Sequence, residues 1–413
     1  MENIKLLGAD IGNDALKIVM LKKTIVDGKE KTDIQKVEVM NVVSQGYERR
    51  ILGGEKGHLS NLLDVNIEME VTEDIITNGK ITGSKKEVKD IGRYFVGGIA
   101  YKYGKGDIIE KTAQDVKAKN NDSIILLVTG VAYALYDSNK PEKVENIAVG
   151  TLLPTEEYFE ETEDLVELFN SKLLNKTFTV KFNSPVFNGA KITIKFVDTD
   201  IEPEGTAGQL AVCFNYDGSA KQELEKIKEG IYLGVFVGNI TTELAIFDHG
   251  EFDPRGFIGI KLGTANPLDS ILADLRNKGL DNMTRHQIDF IIRNKKPLII
   301  STEKGNVDLT EDLNKFTNNR FSYFTKLLVN RIFTELSRNG INISFFNGVN
   351  LGGGGASLYF NEFKKEFNKG NVNLVDDPRF ANAIGALIAI VQKQNNASAG
   401  EKELFKEIAA DKK

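Results

Sequence analysis

The same strand–turn–strand pattern occurs twice in this chain, once near the N-terminus and once past its middle. Residues 6–20 read LLGADIGNDALKIVM, and residues 234–247 read GVFVGNITTELAIF. In each segment an apolar run enters a turn that begins with Gly12-Asn13 or Gly238-Asn239, and a second apolar run leaves it, as in a β-hairpin. A repeat at such a separation predicts two similar halves, each presenting a glycine-containing turn.

Two charged residues flank the first turn within otherwise apolar strands. Asp10 precedes the turn and Lys17 follows it. Turn N–H groups can converge on phosphate oxygens, Lys17 can neutralise their charge, and Asp10 can hold a hydrated divalent cation. An ordinary surface hairpin explains one copy equally well, but the second copy favours a phosphate site. The second copy carries Phe236 where the first carries Asp10.

Length and composition predict a two-domain globular protein. The chain has 413 residues, of which 41% are hydrophobic and 27% are charged, too many for one ordinary core and too apolar for a disordered chain. The sequence has no apolar window long enough to span a bilayer, and the apolar part of MENIKLLGAD is too short for a secretory signal. We therefore expect a cytoplasmic protein without a membrane partner.

Cysteine, histidine and charge exclude several function classes. The only cysteine is Cys213, so neither a disulfide framework nor a cysteine-clustered metal site can form within the chain, and 3 histidines make a histidine-based zinc site improbable. The net charge of −6 argues against direct binding of nucleic acid, which requires a basic face. Any link to DNA is expected to run through a partner protein.

Hydrophobic patterning predicts an α/β architecture in both halves. Residues 123–130 (SIILLVTG) form a continuous apolar run that predicts a strand buried on both faces. Residues 154–172 and 315–338 predict helices, residues 198–208 predict a loop, and residues 380–392 predict a small-residue apolar helix. Each half is expected to be a mixed sheet with helices on both faces.

The repeat also sets the expected domain boundaries. We predict domain I at residues 1–228 with a small inserted subdomain at about 24–104, domain II at residues 229–379, and a return to domain I at residues 380–413. A nucleotide is expected in the cleft between the two domains.

Four segments in this order resemble the actin-like ATPase superfamily. They are GADIGNDALK, GNITTEL, NLGGGGASL and FANAIGAL, which are similar to the two phosphate hairpins, the adenosine motif and the second connecting helix of that superfamily. The length and the segment DTDIEPEG resemble bacterial plasmid-segregation actins of the ParM or StbA type. The resemblance implies an actin-like (ribonuclease H-like) duplicated fold, two domains with a nucleotide cleft between them.

The resemblance also implies a set of site residues. Asp10 would hold magnesium through water and serve catalysis. The residues implied to bind the phosphates are Gly12, Asn13, Asp14 and Lys17 in the first hairpin and Gly238, Asn239, Thr241 and Thr242 in the second. The glycines implied to let the backbone approach adenine and ribose are Gly352, Gly353, Gly354 and Gly355. Arg285 and Asp289 are either ribose contacts or exposed helix residues.

Two departures from the superfamily pattern predict slow hydrolysis. The second phosphate hairpin of the family carries an acid where this chain has Phe236. The first connecting segment of the family carries a glutamate that positions the attacking water, and SIILLVTGVAYALY places Ala134 there. Because phosphoryl transfer depends on positioning and electrostatics, losing both acids should slow hydrolysis more than it weakens binding. Glu243 is our candidate for the replacement acid, with Asp14 and Asn239 as alternatives.

By resemblance, the chain would bind ATP (GTP is the alternative) with Mg²⁺, polymerise into filaments, hydrolyse the nucleotide, and segregate plasmid DNA through an adaptor protein bound to centromere-like DNA. Two other classes stay open. One is a slow or non-hydrolysing structural filament of a phage or plasmid, favoured by Phe236 and Ala134. The other is a small-molecule kinase of the same fold, with Asp198 or Asp200 as its base.

Overall fold

The computed structural model describes residues 4–26, 29–49, 57–77, 80–104, 115–160, 162–302, 305–367 and 371–410. The chain divides into two compact units. Unit 1 comprises Met1–Pro203, Phe214–Ala220 and Asn382–Lys413, and unit 2 comprises Glu204–Cys213 and Lys221–Ala381. Residues 204–213, which the predicted boundaries place in domain I, therefore cluster with unit 2.

Unit 1 is built on a mixed sheet that has nine strands among the described residues. They are β1 (Ile4–Ile11), β2 (Ala15–Val26), β3 (Lys29–Met40), β4 (Val43–Gln45), β5 (Leu63–Thr77), β6 (Lys80–Val96), β7 (Glu142–Leu153), β8 (Thr177–Phe182) and β9 (Lys191–Pro203). Their order is β3-β2-β1-β7-β9-β8-β5-β6-β4. Strand β1 pairs antiparallel with β2 and parallel with β7, and β7 pairs parallel with β9.

Helices α1 (Gly98–Tyr103), α2 (Asn121–Leu135), α3 (Thr155–Tyr158) and α4 (Leu165–Ser171) also belong to unit 1. Helix α2 is buried along most of its length and packs on the sheet. A Cβ atom at Gly130 would lie 2.3 Å from Leu16 Cδ2, so a side chain there would displace Leu16 where this helix approaches β2.

The predicted strand at residues 123–130 is wrong, because these residues lie within α2. The side chain of Asn120 caps the helix by accepting a hydrogen bond from the Asp122 N–H at 2.9 Å. A helix buried on all sides shows no amphipathic period, so its apolar run cannot be distinguished from a buried strand by pattern alone.

The predicted helix at residues 154–172 is divided in two. Helix α3 ends at Tyr158, and α4 begins after Asp164, whose side chain accepts a hydrogen bond from the Glu167 N–H at 2.8 Å. This second N-cap starts a new helix, so one amphipathic pattern encodes two short elements.

Unit 2 contains a sheet that has five strands among the described residues and a separate two-stranded hairpin. The first set is β10 (Ile231–Val237), β11 (Thr242–Asp248), β12 (Glu251–Ile260), β15 (Phe346–Gly352) and β16 (Asn371–Leu374), in the order β12-β11-β10-β15-β16; the hairpin is β13 (Ile299–Thr302) with β14 (Gly305–Asp308). Its helices are α5 (Thr206–Cys213), α6 (Gln222–Lys228), α7 (Ala265–Arg276), α8 (Arg285–Arg293), α9 (Thr310–Arg338) and α10 (Ala356–Glu366). Leu328, Ile332 and Tyr359 lie in the unit 2 core.

The last helix, α11 (Ala381–Ala410), packs in unit 1 against two glycines of neighbouring strands. A Cβ atom at Gly8 would lie 2.1 Å from the Ala383 carbonyl oxygen, and one at Gly150 would lie 1.9 Å from the Ala386 carbonyl oxygen. Both distances are below any real contact, so the helix backbone rests directly on the sheet backbone.

Candidate functional site

The turn between β1 and β2 is a glycine tip flanked by a buried ion pair. Asp10 and Lys17 are directly paired across the two strands, and their side chains approach to 3.4 Å (Nζ to Oδ2). Asp10 is 6% exposed and Lys17 is 5% exposed. A Cβ atom at Gly12 would lie 3.0 Å from the Ala15 carbonyl oxygen and 3.2 Å from Lys17 Nζ, so a side chain there would crowd the pair. Gly12, Asn13 and Asp14 themselves are half-buried.

Asn41 holds this tip from the end of β3. Its backbone N–H donates to the Asp14 carbonyl oxygen at 2.9 Å, and its side-chain Nδ2 donates to the Gly12 carbonyl oxygen at 2.8 Å. Its Oδ1 is buried and has no hydrogen-bond partner among the residues that the structure describes. Sequence reasoning missed Asn41 because it compared only the first two strands of each repeat.

The turn between β10 and β11 is also held through its carbonyl oxygens, here by backbone N–H groups at the start of α7. The Gly238 N–H donates to the Thr241 carbonyl oxygen at 2.8 Å, and the N–H groups of Thr264 and Ala265 donate to the carbonyl oxygens of Gly238 and Asn239 at 3.1 and 2.8 Å. A Cβ atom at Gly263 would lie 2.4 Å from the Asn239 carbonyl oxygen, so this approach also requires glycine.

The predicted threonine ligands of the second tip differ in environment. Thr242 is fully buried, and its hydroxyl donates to the Leu262 carbonyl oxygen at 2.7 Å. Thr241 is half-buried at the tip itself. Thr241 is therefore the better placed of the two to meet a ligand.

The two hairpins have the same register, and this makes their residues directly comparable. The last paired residues are Ile11 with Leu16 in the first hairpin and Val237 with Thr242 in the second, so both turns close over the same number of residues. The pair Asp10–Lys17 therefore corresponds to the pair Phe236–Glu243. The carboxylate of the second hairpin lies on the returning strand.

Phe236 occupies a socket formed by three glycines from separate segments. A Cβ atom would lie 2.0 Å from the Phe236 ring at Gly208, 2.7 Å at Gly234 and 2.5 Å at Gly352. Phe236 is 2% exposed. The ring is therefore buried in unit 2, and a side chain at any of the three glycines would press on it.

The glycine tetrad joins β15 to α10 and packs mostly against the end of β10. A Cβ atom at Gly353 would lie 2.5 Å from the Val237 carbonyl oxygen, and one at Gly355 would lie 2.6 Å from Thr264 Cγ2. Gly353 has a φ of +87°, a conformation that favours glycine. Around Gly354 a Cβ atom would meet nothing within 4 Å, so Gly354 is the residue of the tetrad that could lie beside a ligand.

Arg285 and Asp289, the predicted ribose contacts, lie on α8 and form ion pairs with other residues. Arg285 donates to both carboxylate oxygens of Asp269 at 2.9 and 2.8 Å. Asp289 accepts a hydrogen bond from Arg293 Nε at 2.6 Å. A ribose would have to compete with these partners.

The assignment of Ala134 to the first connecting segment is wrong. Ala134 lies inside α2, and its carbonyl oxygen accepts a hydrogen bond from Gln35 Nε2 at 2.9 Å. The chain passes from unit 1 to unit 2 between Pro203 and Glu204, at the end of β9 and before α5. The predicted loop at residues 198–208 is instead the end of β9 followed by the start of α5. The prediction failed because the Asp/Glu/Pro-rich sequence hides the alternating burial of the strand.

The segment where the chain first passes from unit 1 to unit 2 contains two glutamates, Glu202 and Glu204. Burial, reinforced by the charge of Asp200, raises the pKa of Glu202 to about 7, and burial likewise raises the pKa of Asp200. Glu204 follows directly, and a Cβ atom at Gly205 would lie 3.3 Å from Glu243 Cβ. The connection thus brings Glu204 close to the second hairpin.

The donor set for a divalent cation is sparse. Among the described residues, no group of three or more His, Cys, Asp or Glu side chains is arranged to hold a metal ion. The carboxylate of Asp10, paired with Lys17, would be compatible with a hydrated Mg²⁺ that takes its other ligands from water and phosphate, as Mg²⁺ commonly does.

Within the described part of the chain, no helix has both the length and the apolar character needed to cross a membrane.

This architecture, two units each led by a glycine-tipped hairpin, is the actin-like fold. The structure is similar to Bacillus thuringiensis ParM with AMPPNP (TM-score 0.63, 17% identity, 95% of this chain and 100% of that chain). It is also similar to the actin-like protein Alp7A (TM-score 0.69, 15% identity, 96% and 98%), and to a non-polymerisable quadruple mutant of pCBH ParM (TM-score 0.61, 21% identity, 93% and 98%). No family model and no curated protein matches the sequence.

Proposed function

We propose that this protein is an actin-like ATPase that binds ATP with Mg²⁺ at its two glycine tips and assembles into filaments. One observation carries the proposal: the same tip is built twice in the same register, with Gly-Asn at its start and with its carbonyl oxygens bound by residues that follow the third strand of each unit. Backbone N–H groups in such turns are suited to bind phosphate oxygens. The likeness to ParM with bound AMPPNP and ATP supports the choice of ligand.

Each residue has a role in the proposed binding step. Lys17 neutralises phosphate charge, and Asp10 holds Mg²⁺ through water. Thr241 binds the phosphate oxygens together with the N–H groups of the second tip other than that of Gly238, which donates to the Thr241 carbonyl oxygen. Gly354 lies against adenine and ribose, and Arg285 reaches the ribose by exchanging its Asp269 partner. A bound Mg²⁺ would offset the charge that develops on the phosphates during transfer.

Hydrolysis requires a water oriented toward the γ-phosphorus while the bridging oxygen leaves with ADP. Glu204 and Glu243 are the acids that this chain offers near the second tip, since Gly205 packs against Glu243. Their proximity supports turnover by an ATPase despite the phenylalanine at position 236. The alternative, a filament with slow or no hydrolysis, is favoured by Phe236, whose ring leaves no room for an acid on that strand.

The filament would move plasmid DNA through an adaptor protein. The net charge of −6 favours contact through a protein partner over direct binding of DNA.

The binding step is tested with Asp10→Asn, which keeps the side-chain volume but removes the charge. We expect Mg²⁺-dependent ATP affinity to fall at least tenfold, measured by titration calorimetry with and without Mg²⁺. Glu142→Gln, at an exposed acid of the same unit, is the matched control and should bind as the wild type does. Unchanged affinity in Asp10→Asn would remove Asp10 from the site.

Filament formation is tested by sedimentation and electron microscopy with ATP, with ADP and without nucleotide. Nucleotide-dependent pelleting supports the ATPase filament. Pelleting without nucleotide supports the structural filament, and a protein that stays soluble throughout contradicts both.

The variants Glu243→Gln and Glu204→Gln test which acid orients the attacking water. Phosphate release and ATP affinity are measured for each variant. The acid that positions water should lose at least 100-fold in turnover at nearly unchanged affinity. Turnover that persists at the wild-type rate in both variants would contradict the assignment to either residue.

A further inference from the structure

In both hairpins the carbonyl oxygen of the tip glycine accepts a hydrogen bond from a residue in the segment that follows the third strand. Asn41 Nδ2 donates to the Gly12 carbonyl oxygen at 2.8 Å. The Thr264 N–H donates to the Gly238 carbonyl oxygen at 3.1 Å, and its hydroxyl lies 3.5 Å from the same oxygen. Asn41 directly follows β3, and Thr264 lies past the end of β12 at the N-cap of α7, so each donor comes from the segment after the third strand of its unit.

This contact fixes the direction of the next peptide N–H group. In a trans peptide the carbonyl oxygen of one residue and the N–H of the following residue point to opposite sides. When Asn41 draws the Gly12 carbonyl toward β3, the N–H of Asn13 is directed away from β3, and the same holds for Gly238 and Asn239. A phosphate-binding turn needs its N–H groups fixed in this way before the ligand arrives.

Asn41 also has a buried hydrogen-bond acceptor, Oδ1, that is not satisfied among the described residues. The residue is 7% exposed, and while Nδ2 binds Gly12, Oδ1 is buried and finds no hydrogen-bond partner in the described part of the chain. A side chain that served only to close the turn would be expected to have both polar atoms satisfied.

We infer that Asn41 and Thr264 are positioning residues that orient the tip N–H groups for phosphate, with Asn41 the stronger of the two. The inference rests on the proposed function. The side chain of Asn41 supplies its only contact to the Gly12 carbonyl, whereas Thr264 acts chiefly through its backbone N–H, which no substitution by another non-proline residue removes. Loss of the Asn41 side chain should therefore be the more damaging change.

The test measures the affinities of ATP, ADP and adenosine for the full chain by titration calorimetry, together with Tm without ligand. For Asn41→Ala we expect ATP and ADP affinities to fall at least tenfold, with adenosine affinity changed less than twofold. For Thr264→Val we expect less than a threefold change for all three ligands. Asn183→Ala, which removes another half-buried amide whose Nδ2 binds Asp64 and Asn66 in unit 1, should leave all three affinities unchanged.

Two results for Asn41→Ala overturn the inference while the wild type still binds ATP. One is unchanged ATP affinity, and the other is an equal loss for ATP, ADP and adenosine, which a merely structural role would give. Failure of the wild type to bind ATP would instead overturn the proposed function and this inference together. If Asn41→Ala does not fold, Asn41→Asp keeps the shape and removes the donor, and the same expected and contradicting results apply to it.

Discussion

The two glycine-tipped hairpins have the same strand register and differ in the groups that pack beneath the strand. In unit 1 the backbone of α11 reaches the strand directly at Gly8, and position 10 carries a carboxylate paired with Lys17. In unit 2 the Phe236 ring lies against Gly234 and against Gly208 of α5, and the carboxylate lies across the ladder at Glu243. The strand pairing therefore sets the geometry of each turn. The packing beneath the strand decides separately which side chain, carboxylate or phenyl ring, stands before the turn.

The largest effect is expected when position 236 of the second hairpin receives the aspartate found at position 10 of the first. Phe236→Asp removes a ring from a closed socket and buries a charge, so we expect unit 2 to lose about 4 kcal/mol or more of unfolding free energy. Phe236→Leu, which keeps an apolar side chain, should lose about half as much. Urea unfolding followed by circular dichroism measures both. Equal stability of Phe236→Asp and wild type would show that the socket does not depend on the ring.

A second test compares the two glycines that meet the helices. Gly8→Ala would place Cβ 2.1 Å from the Ala383 carbonyl oxygen and 2.3 Å from the Leu387 nitrogen, which are backbone atoms of a buried helix. Gly234→Ala would meet the Phe236 ring at 2.7 Å and the Gln209 side chain at 2.8 Å, and the Gln209 side chain can move. We expect losses of about 3 kcal/mol for Gly8→Ala and about 1 kcal/mol for Gly234→Ala. The reverse order in thermal unfolding would refute the contrast.

The smallest test concerns an acid outside both hairpins, Glu202. Its folded pKa of about 7 lies above the ordinary value of 4.5, so the folded state keeps a proton that the unfolded state has released. The stability from this group is complete below pH 4.5 and is lost as the pH rises through 7. The stability advantage of Glu202→Gln over the wild type should therefore grow by about 2.5 kcal/mol between pH 5 and pH 8, since one unit of pKa shift corresponds to about 1.4 kcal/mol.

The control for this measurement is Glu223→Gln, at an exposed acid of α6. Its unfolding free energy should follow the wild-type curve from pH 5 to pH 8. A Glu202→Gln curve parallel to the wild type would mean that Glu202 titrates at its ordinary pKa in the folded protein.

Sequence reasoning reached the fold because its strongest signals are local. The Gly-Asn turns, the apolar strands around them and the glycine tetrad are each encoded within a few consecutive residues, and their order along the chain defines the actin-like fold confirmed by the structural similarity. Residues 123–130 failed because burial on all sides removes the periodicity that separates helix from strand.

The parts of the site that sequence reasoning missed depend on distant segments. A phenylalanine fits at position 236 because its ring packs against glycines at positions 208, 234 and 352. No local sequence pattern links these three positions. Asn41 acts on the turn at Gly12 across 29 positions, through a third strand that the repeat comparison left out. The roles of the named phosphate, ribose and metal residues stay predictions until the variants are measured.

The environment of Cys213 has a practical consequence for testing these proposals by fluorescence. It is the only cysteine of the chain, it is 1% exposed, and burial raises its pKa to about 12. Because the thiolate is the nucleophile in maleimide labelling, the native thiol will react slowly while the protein stays folded. A single cysteine introduced on an exposed residue would thus carry a dye at one defined position, and assembly of the proposed filament could be tested in real time without first removing the native residue.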